Sequence, residues 1–286
     1  MTASAVINTH KKLAMLIVSF GTSYPDAIIK NIEAVEKRIA AAYPQYIQRR
    51  AFTSGMIIKK LKDRDHFVVD NPDAALTKLA HDGYTDIVVV PLHILHGFEY
   101  DELQSVTYQH ITDFATIRTG RPILSSDQDY DLAIEALKQQ LPAFSDNQAA
   151  ILMGHGTDHF SDASYSKLQL KFEDAKLPVY IATVEGYPTI EQAEKKLRQT
   201  GKTDVILMPF MLVAGDHANK DMAGDTPDSF KNILTSKGYT VKTYIQGLGE
   251  NTGFQDIWIT HAQDAIDSAP IAILNKLDAE KETAAG

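Results

Sequence analysis

The chain contains itself twice. Leu16–Tyr24 reads Leu-Ile-Val-Ser-Phe-Gly-Thr-Ser-Tyr, and Ile151–His159 reads Ile-Leu-Met-Gly-His-Gly-Thr-Asp-His. In each copy an apolar run ends in a Gly-Thr turn, Gly21-Thr22 and Gly156-Thr157. Further on, Thr85–Gly97 and Thr203–Gly215 share Thr-Asp, four apolar residues, Pro91 or Pro209, and a glycine at the same spacing. A repeat of this kind restricts the fold to two copies of one unit. Short apolar runs are expected as strands at 13–19, 46–52, 86–92 and near 121–124. The second copy places them at 149–154, 178–183, 204–209 and 241–245. Helical periodicity falls between them, at 26–42, 73–83, 98–114, 128–141, 162–175, 189–200, 220–237 and 254–268. Strands alternating with helices predict parallel sheets joined by right-handed crossovers. Runs as continuously apolar as Ile87–Val90 and Val205–Met208 suit sheets covered on both faces.

The expected fold class is therefore α/β: two duplicated doubly wound domains, each a parallel sheet of about four strands flanked by helices, with a cleft between them. The expected units are 11–141 and 149–277, with 142–148 as linker. The 286 residues suffice for two such units. Residues 1–10 and the tail from Asp278 read as unstructured ends. Lys11-Lys12 followed by Leu13–Phe20 superficially resembles a leader, but the repeat matches that run to an internal strand. No apolar run is long enough for a membrane span, and the expected compartment is the cytoplasm.

In an open parallel sheet, ligands sit beyond the carboxyl ends of the strands. His155 follows Ile151–Gly154 there. Glu99 lies eight residues past Pro91, and His217 lies eight past Pro209, so the two are equivalent positions of the two copies. If the copies face each other, Glu99 meets His155 and His217 across the cleft. Two imidazoles and a carboxylate suit a borderline divalent ion such as Co²⁺, Ni²⁺, Fe²⁺ or Zn²⁺, and the same groups accept protons near neutral pH. The chain has no cysteine, which excludes disulfides, thiolate metal sites and cysteine nucleophiles.

Of the other histidines, His159 reads as a rim residue and His93 as packed, while His96 faces solvent or the cleft mouth. His10, His66, His81, His110 and His261 read as surface groups. Phe20–Ser23 either holds an anion on its amides or supplies Ser23 as a helix cap. Gly247–Glu250 reads as a turn. No nucleotide-binding fingerprint and no serine-hydrolase elbow is present. A net charge of −9 argues against a nucleic-acid partner.

Ser19–Tyr24, Arg50–Ile58, Gly154-His155-Gly156, Leu207–His217 and Gly247–Glu250 together resemble the anaerobic cobalt chelatases of the CbiK type. These are sirohydrochlorin cobaltochelatases of the class II chelatase superfamily. The resemblance runs from about Leu13 to His261. It implies an enzyme that inserts Co²⁺ into sirohydrochlorin, or its oxidised precursor form, in anaerobic cobalamin biosynthesis. It also implies that no nucleotide is needed, and that His155, His217 and Glu99 bind the metal. On this reading His155 is the main ligand and the proton acceptor after transfer, while His217 and Glu99 complete the shell and carry protons out, with the group that abstracts first left open. The chain departs from the pattern at Phe98, where relatives often carry an acidic residue beside the functional glutamate.

Sirohydrochlorin carries many carboxylates. Arg49, Arg50, Lys59 and Lys60 read either as partners for them or as solvated charges. Rival readings are Fe²⁺ or Ni²⁺ insertion into the same tetrapyrrole, a non-catalytic tetrapyrrole or metal carrier, and a two-domain solute-binding protein. A homo-oligomer is left open.

Overall fold

The computed structural model describes residues 11–271; His10, both expected unstructured ends and 272–277 of the expected second unit lie outside them. The first sheet contains β1 (Leu13–Ser19), β2 (Ile47–Phe52), β3 (Asp86–Pro91) and β4 (Thr116–Thr119), in the order β2-β1-β3-β4. The second contains β5 (Gln148–Gly154), β6 (Val179–Thr183), β7 (Asp204–Pro209) and β8 (Thr240–Thr243), in the order β6-β5-β7-β8. All pairings are parallel, with Ile17 opposite Arg50 and Val90, and Ile151 opposite Tyr180 and Leu207. The strand order reverses between β1 and β3, and again between β5 and β7. Loops leaving those four strands therefore flank the two crevices that such sheets offer to ligands.

Alternation along the strands sorts their side chains into layers. Met15 and Ile17 of β1 and Ala150 and Leu152 of β5 join one shared core. That core also takes Trp258, Phe254, Phe172 and Phe210. Ala14, Leu16 and Val18 turn to the outer face of the first sheet, under α4 (Pro72–His81) and α5 (Phe98–Gln109). Ala149, Ile151 and Met153 turn to the outer face of the second, under α8 (Ile190–Arg198) and α9 (Phe230–Ser236). The shared core is filled by α2 (Glu33–Ala42), α6 (Asp127–Gln140), α7 (Ala163–Asp174) and α10 (Thr252–Asp267). The last of these packs on α6, α2 and β3. The end of the second copy thus crosses over to cover the first sheet.

Local differences from the expected elements have local causes. β4 lies at Thr116–Thr119, ahead of the apolar run 121–124. Pro122 has no N–H to give a ladder, and Ile123 and Leu124 instead donate to the His93 and Ile94 carbonyls. A short α1 (Pro25–Ala27) runs into α2 through a π-helical turn, Ile28–Ile32. Tyr24, not Ser23, stands at its N-cap. The helix α3 (Gly55–Asp65) was not expected, because Leu61 alone among its residues is buried. Its start is marked by Ser54, whose hydroxyl accepts from the Ile57 N–H. The helix expected at 220–237 is a π-helical turn, Ala218–Met222, followed by the short α9. Among the described residues no helix is long and apolar enough to cross a membrane.

His66 and His81 are exposed as expected, but His110 and His261 are buried. His110 sits between Asp73 and Asp113, at 3.0 and 2.7 Å. His261 sits between Asp129 and the Arg121 carbonyl, each at 3.0 Å. Both are covered because acceptors on other elements meet both ring nitrogens.

His93 is packed, and among the described residues neither of its buried ring nitrogens has a hydrogen-bond partner. Burial pushes its imidazole down to about 4, so the folded protein holds it neutral. Unfolding frees a group that binds protons below about 6.5, and stability should fall as pH drops below that value. By pH 5 the loss from this group is about 2 kcal/mol. His93→Leu should remove it, which urea unfolding of both proteins at pH 7 and pH 5 would detect. Equal acid losses in the two would rule His93 out as the cause.

Candidate metal centre

His155 follows β5 directly, and His217 stands beyond β7 at the start of the helical turn that continues into Ala218–Met222, so both flank the crevice of the second sheet. Their rings lie 4.7 Å apart, nearly perpendicular at 86°. Both are partly open to solvent, with side chains 45% and 35% exposed. The sharp turn after His155 needs Gly156. Its φ is +84°, and a side chain there would strike the backbone at Gly186. Beneath the turn, the Tyr165 hydroxyl on α7 accepts from the Gly156 N–H at 3.4 Å. Burial pushes that phenol up to about 12, so it stays neutral.

The hydrogen bonds fix how the two rings are used. Nδ1 of His155 lies 2.9 Å from the Gly156 carbonyl, which only accepts. Nδ1 of His217 lies 2.7 Å from an Asp221 carboxylate oxygen. Each Nδ1 therefore carries hydrogen, and each neutral ring keeps its lone pair on Nε2. Among the described residues neither Nε2 has a hydrogen-bond partner. Two such nitrogens with outer acceptors are the pattern of oriented metal-binding histidines. The carboxylate of Glu185, 4.0 Å from Nδ1 of His155, adds negative charge beside the pair.

Glu99 occupies the first turn of α5, where the helix dipole favours a carboxylate, and it is exposed. Among the described residues no three His, Asp or Glu side chains are close enough together to hold a metal. The structure thus joins His155 to His217 and leaves Glu99 outside the pair. Phe98, beside it, is 57% exposed and meets the edge of His159 at a centroid distance of 4.9 Å. His159 is buried rather than on the rim. Its Nδ1 accepts from the Ser161 N–H, and its Nε2 lies 3.3 Å from Asp101 of α5. It therefore ties the Glu99 helix to the segment that follows His155. His96 is half-buried, with Nε2 2.7 Å from the Ser125 hydroxyl.

The basic residues are mostly engaged. Arg50 donates to both oxygens of Glu36, Arg49 to Asp82 and Lys59 to Asp63. A shallow recess of about 290 Å³ beside β2 is lined by Arg49, Arg50, Glu36 and Asp70, but by neither histidine nor Glu99. Asp221, Glu185 and Tyr24 were missed from sequence. The His217–Asp221 spacing, one helical turn, was the available signal for the first.

Comparison with known proteins bears on this arrangement. The family model described as cobalt chelatase (CbiK) matches residues 13–267. A sirohydrochlorin cobaltochelatase of Salmonella typhimurium is 41% identical over 258 residues, spanning 90% of this chain and 98% of the relative. The sirohydrochlorin cobaltochelatase CbiKC of Nitratidesulfovibrio vulgaris is 31% identical over 260 residues, spanning 90% and 92%. Among solved structures, SirB from Bacillus subtilis with Fe³⁺ shares the fold with a TM-score of 0.59 at 15% identity, covering 89% of this chain and 95% of that one.

Proposed function

The chain belongs to the CbiK family of cobalt chelatases, and from that premise we propose that it inserts Co²⁺ into sirohydrochlorin without a nucleotide, using His155, His217 and Glu99. The observation that carries the site assignment is the pair of free Nε2 atoms on adjacent rings at the carboxyl ends of β5 and β7. Two neutral imidazoles hold Co²⁺ while leaving positions for water and for incoming pyrrole nitrogens. Glu99, on the first copy, supplies the third ligand, a carboxylate oxygen, once ion and macrocycle are bound. The protein works in the cytoplasm.

The reaction exchanges Co²⁺ for two pyrrole N–H protons, so two protons must leave the macrocycle for each ion inserted. A histidine nitrogen cannot hold metal and proton at once. When the ion passes to the macrocycle, each Nε2 is free to take a proton. A proton on His217 leaves an imidazolium against the Asp221 carboxylate at 2.7 Å. One on His155 meets a carbonyl and, at 4.0 Å, Glu185. The closer carboxylate supports a reading in which His217 takes the first proton and His155 is the principal metal ligand. The sequence reading named His155 as main ligand and proton acceptor, had His217 and Glu99 carry protons out, and left open which group takes the first proton.

The direct test is the absorbance change of sirohydrochlorin mixed with purified protein and Co²⁺ in the absence of nucleotide. No acceleration over the protein-free reaction would end the proposal. Glu99→Gln keeps shape and removes charge. It should raise the KM for Co²⁺ by roughly tenfold and leave the KM for sirohydrochlorin nearly unchanged. Equal rises in both would move Glu99 from the metal to the macrocycle.

A further inference from the structure

Asn31 is 1% exposed, a polar side chain inside the π-helical turn of the first copy. Its Oδ1 accepts from the Ala214 N–H at 2.9 Å, and its Nδ2 donates to the Glu250 carboxylate at 2.8 Å. Ala214 opens the loop that ends at His217. Two residues on, Asp216 accepts from the Tyr24 hydroxyl at 2.7 Å and lies 3.0 Å from the Lys220 ammonium. Between them, a side chain on Gly215 would crowd the Thr22 hydroxyl, 3.3 Å from where its Cβ would stand. The Gly-Leu-Gly-Glu segment is accounted for in the same way. A side chain at Gly247 would collide with the Asn31 carboxamide, and Glu250 closes the amide's other end. Segment 214–217 of the second copy is therefore held by hydrogen bonds from the first at Ala214 and Asp216.

We propose that Asn31 and Tyr24 are positioning residues for metal insertion: from the half that bears neither histidine, they fix loop 214–217 and so set Nε2 of His217 against His155. This rests on the reading of His217 as a metal ligand. The physical reason is geometric. A cobalt–nitrogen bond tolerates only a few tenths of an ångström, and a shift of about 1 Å in one ligand costs roughly a hundredfold in rate. A loop satisfied by its own backbone alone would not hold a ring so closely. An Asn using both ends of its amide, buried from water, does so without carrying charge into the site. A widened helical turn is otherwise an unfavourable local structure, often found at functional sites; here it lies where Asn31 meets the loop.

The test uses the full chain. Tyr24→Phe keeps the ring and removes the hydroxyl, so it spares the fold. Asn31→Asp keeps the shape and sets an acceptor against Glu250; should it fail to fold, Tyr24→Phe carries the test alone. Co²⁺ affinity is read by titration calorimetry without tetrapyrrole, beside the KM values for both substrates and the thermal midpoint. Tyr24→Phe should weaken Co²⁺ binding ~5–10-fold, and Asn31→Asp ~10–100-fold. The sirohydrochlorin KM should stay within about twofold, since the proposal gives both residues a part in holding the metal ligand and none in holding the macrocycle. In a His217→Ala background, Tyr24→Phe should weaken Co²⁺ binding no further, because the ring it positions is gone. The same loss with and without His217, or a lower thermal midpoint with unchanged Co²⁺ affinity, would overturn the proposal. A His217→Ala protein that binds and inserts Co²⁺ like the wild type would instead remove the reading of His217 beneath it.

Discussion

His155→Ala is expected to slow Co²⁺ insertion by on the order of 10²–10⁴-fold while leaving the thermal midpoint within a few degrees. The two halves of that expectation have separate causes. His155 is partly exposed, stands on a loop, and its side chain makes one hydrogen bond, to the neighbouring Gly156 carbonyl. Its removal opens no cavity in the shared core and strands no buried charge. What is lost is one of two free Nε2 atoms, and with it the proposed principal ligand. His217 alone, with exposed Glu99 across from it, would hold Co²⁺ weakly and in no fixed direction. Steady-state turnover and thermal unfolding of the same preparation separate chemistry from folding. Near wild-type turnover would take His155 out of the mechanism.

The same assignment governs how acid inhibits the wild type. Protons and Co²⁺ contest the same Nε2 atoms, so raising Co²⁺ should move the acid limb of the rate profile to lower pH. Initial rates at two Co²⁺ concentrations across pH, with folding checked by circular dichroism, decide this. A limb that stays fixed would mean that the titrating group is not a metal ligand.

The duplication made much of this legible before any coordinates. It placed seven of the eight strands within two residues and the eighth a few residues late. By using one copy as a ruler for the other, it picked Glu99 and His217 as equivalent positions. The strand-end rule added His155. What stayed hidden is whatever depends on contact between distant segments. Asp221 was within reach of a helical-spacing argument, but Tyr24 meets Asp216 across 192 residues of chain. His261, on α10, meets Asp129 across 132. No local pattern separates such a buried histidine from one that faces water. The π-helical turn at Ile28–Ile32 was equally invisible, because its apolar spacing reads as ordinary helix.

Asp129→Ala should cost about 3–5 kcal/mol of stability and lower the thermal midpoint by on the order of 10 °C. Asp129 is 2% exposed at its side chain, like the His261 it touches. Burial alone would raise its carboxyl's pKa. Hydrogen bonds from Arg121, His261 and Ser126 outweigh burial and hold it well below the usual carboxylate range. The sign follows: this contribution is present above about pH 4 and is lost as pH falls through the lower folded value. Removing the carboxylate leaves His261 and Arg121 without their shared anion, and the His261 Nε2 is buried without its partner. The cost is larger than that of a surface pair because Asp129 joins α6 to α10, the helix that crosses from the second copy to cover the first sheet. Insertion by the fraction that remains folded should be unchanged, since no member of this network belongs to the metal site. Urea unfolding and turnover per folded molecule would measure both. A loss below about 1 kcal/mol, the range of an exposed ion pair, would show that the crossing helix is held by its apolar face alone.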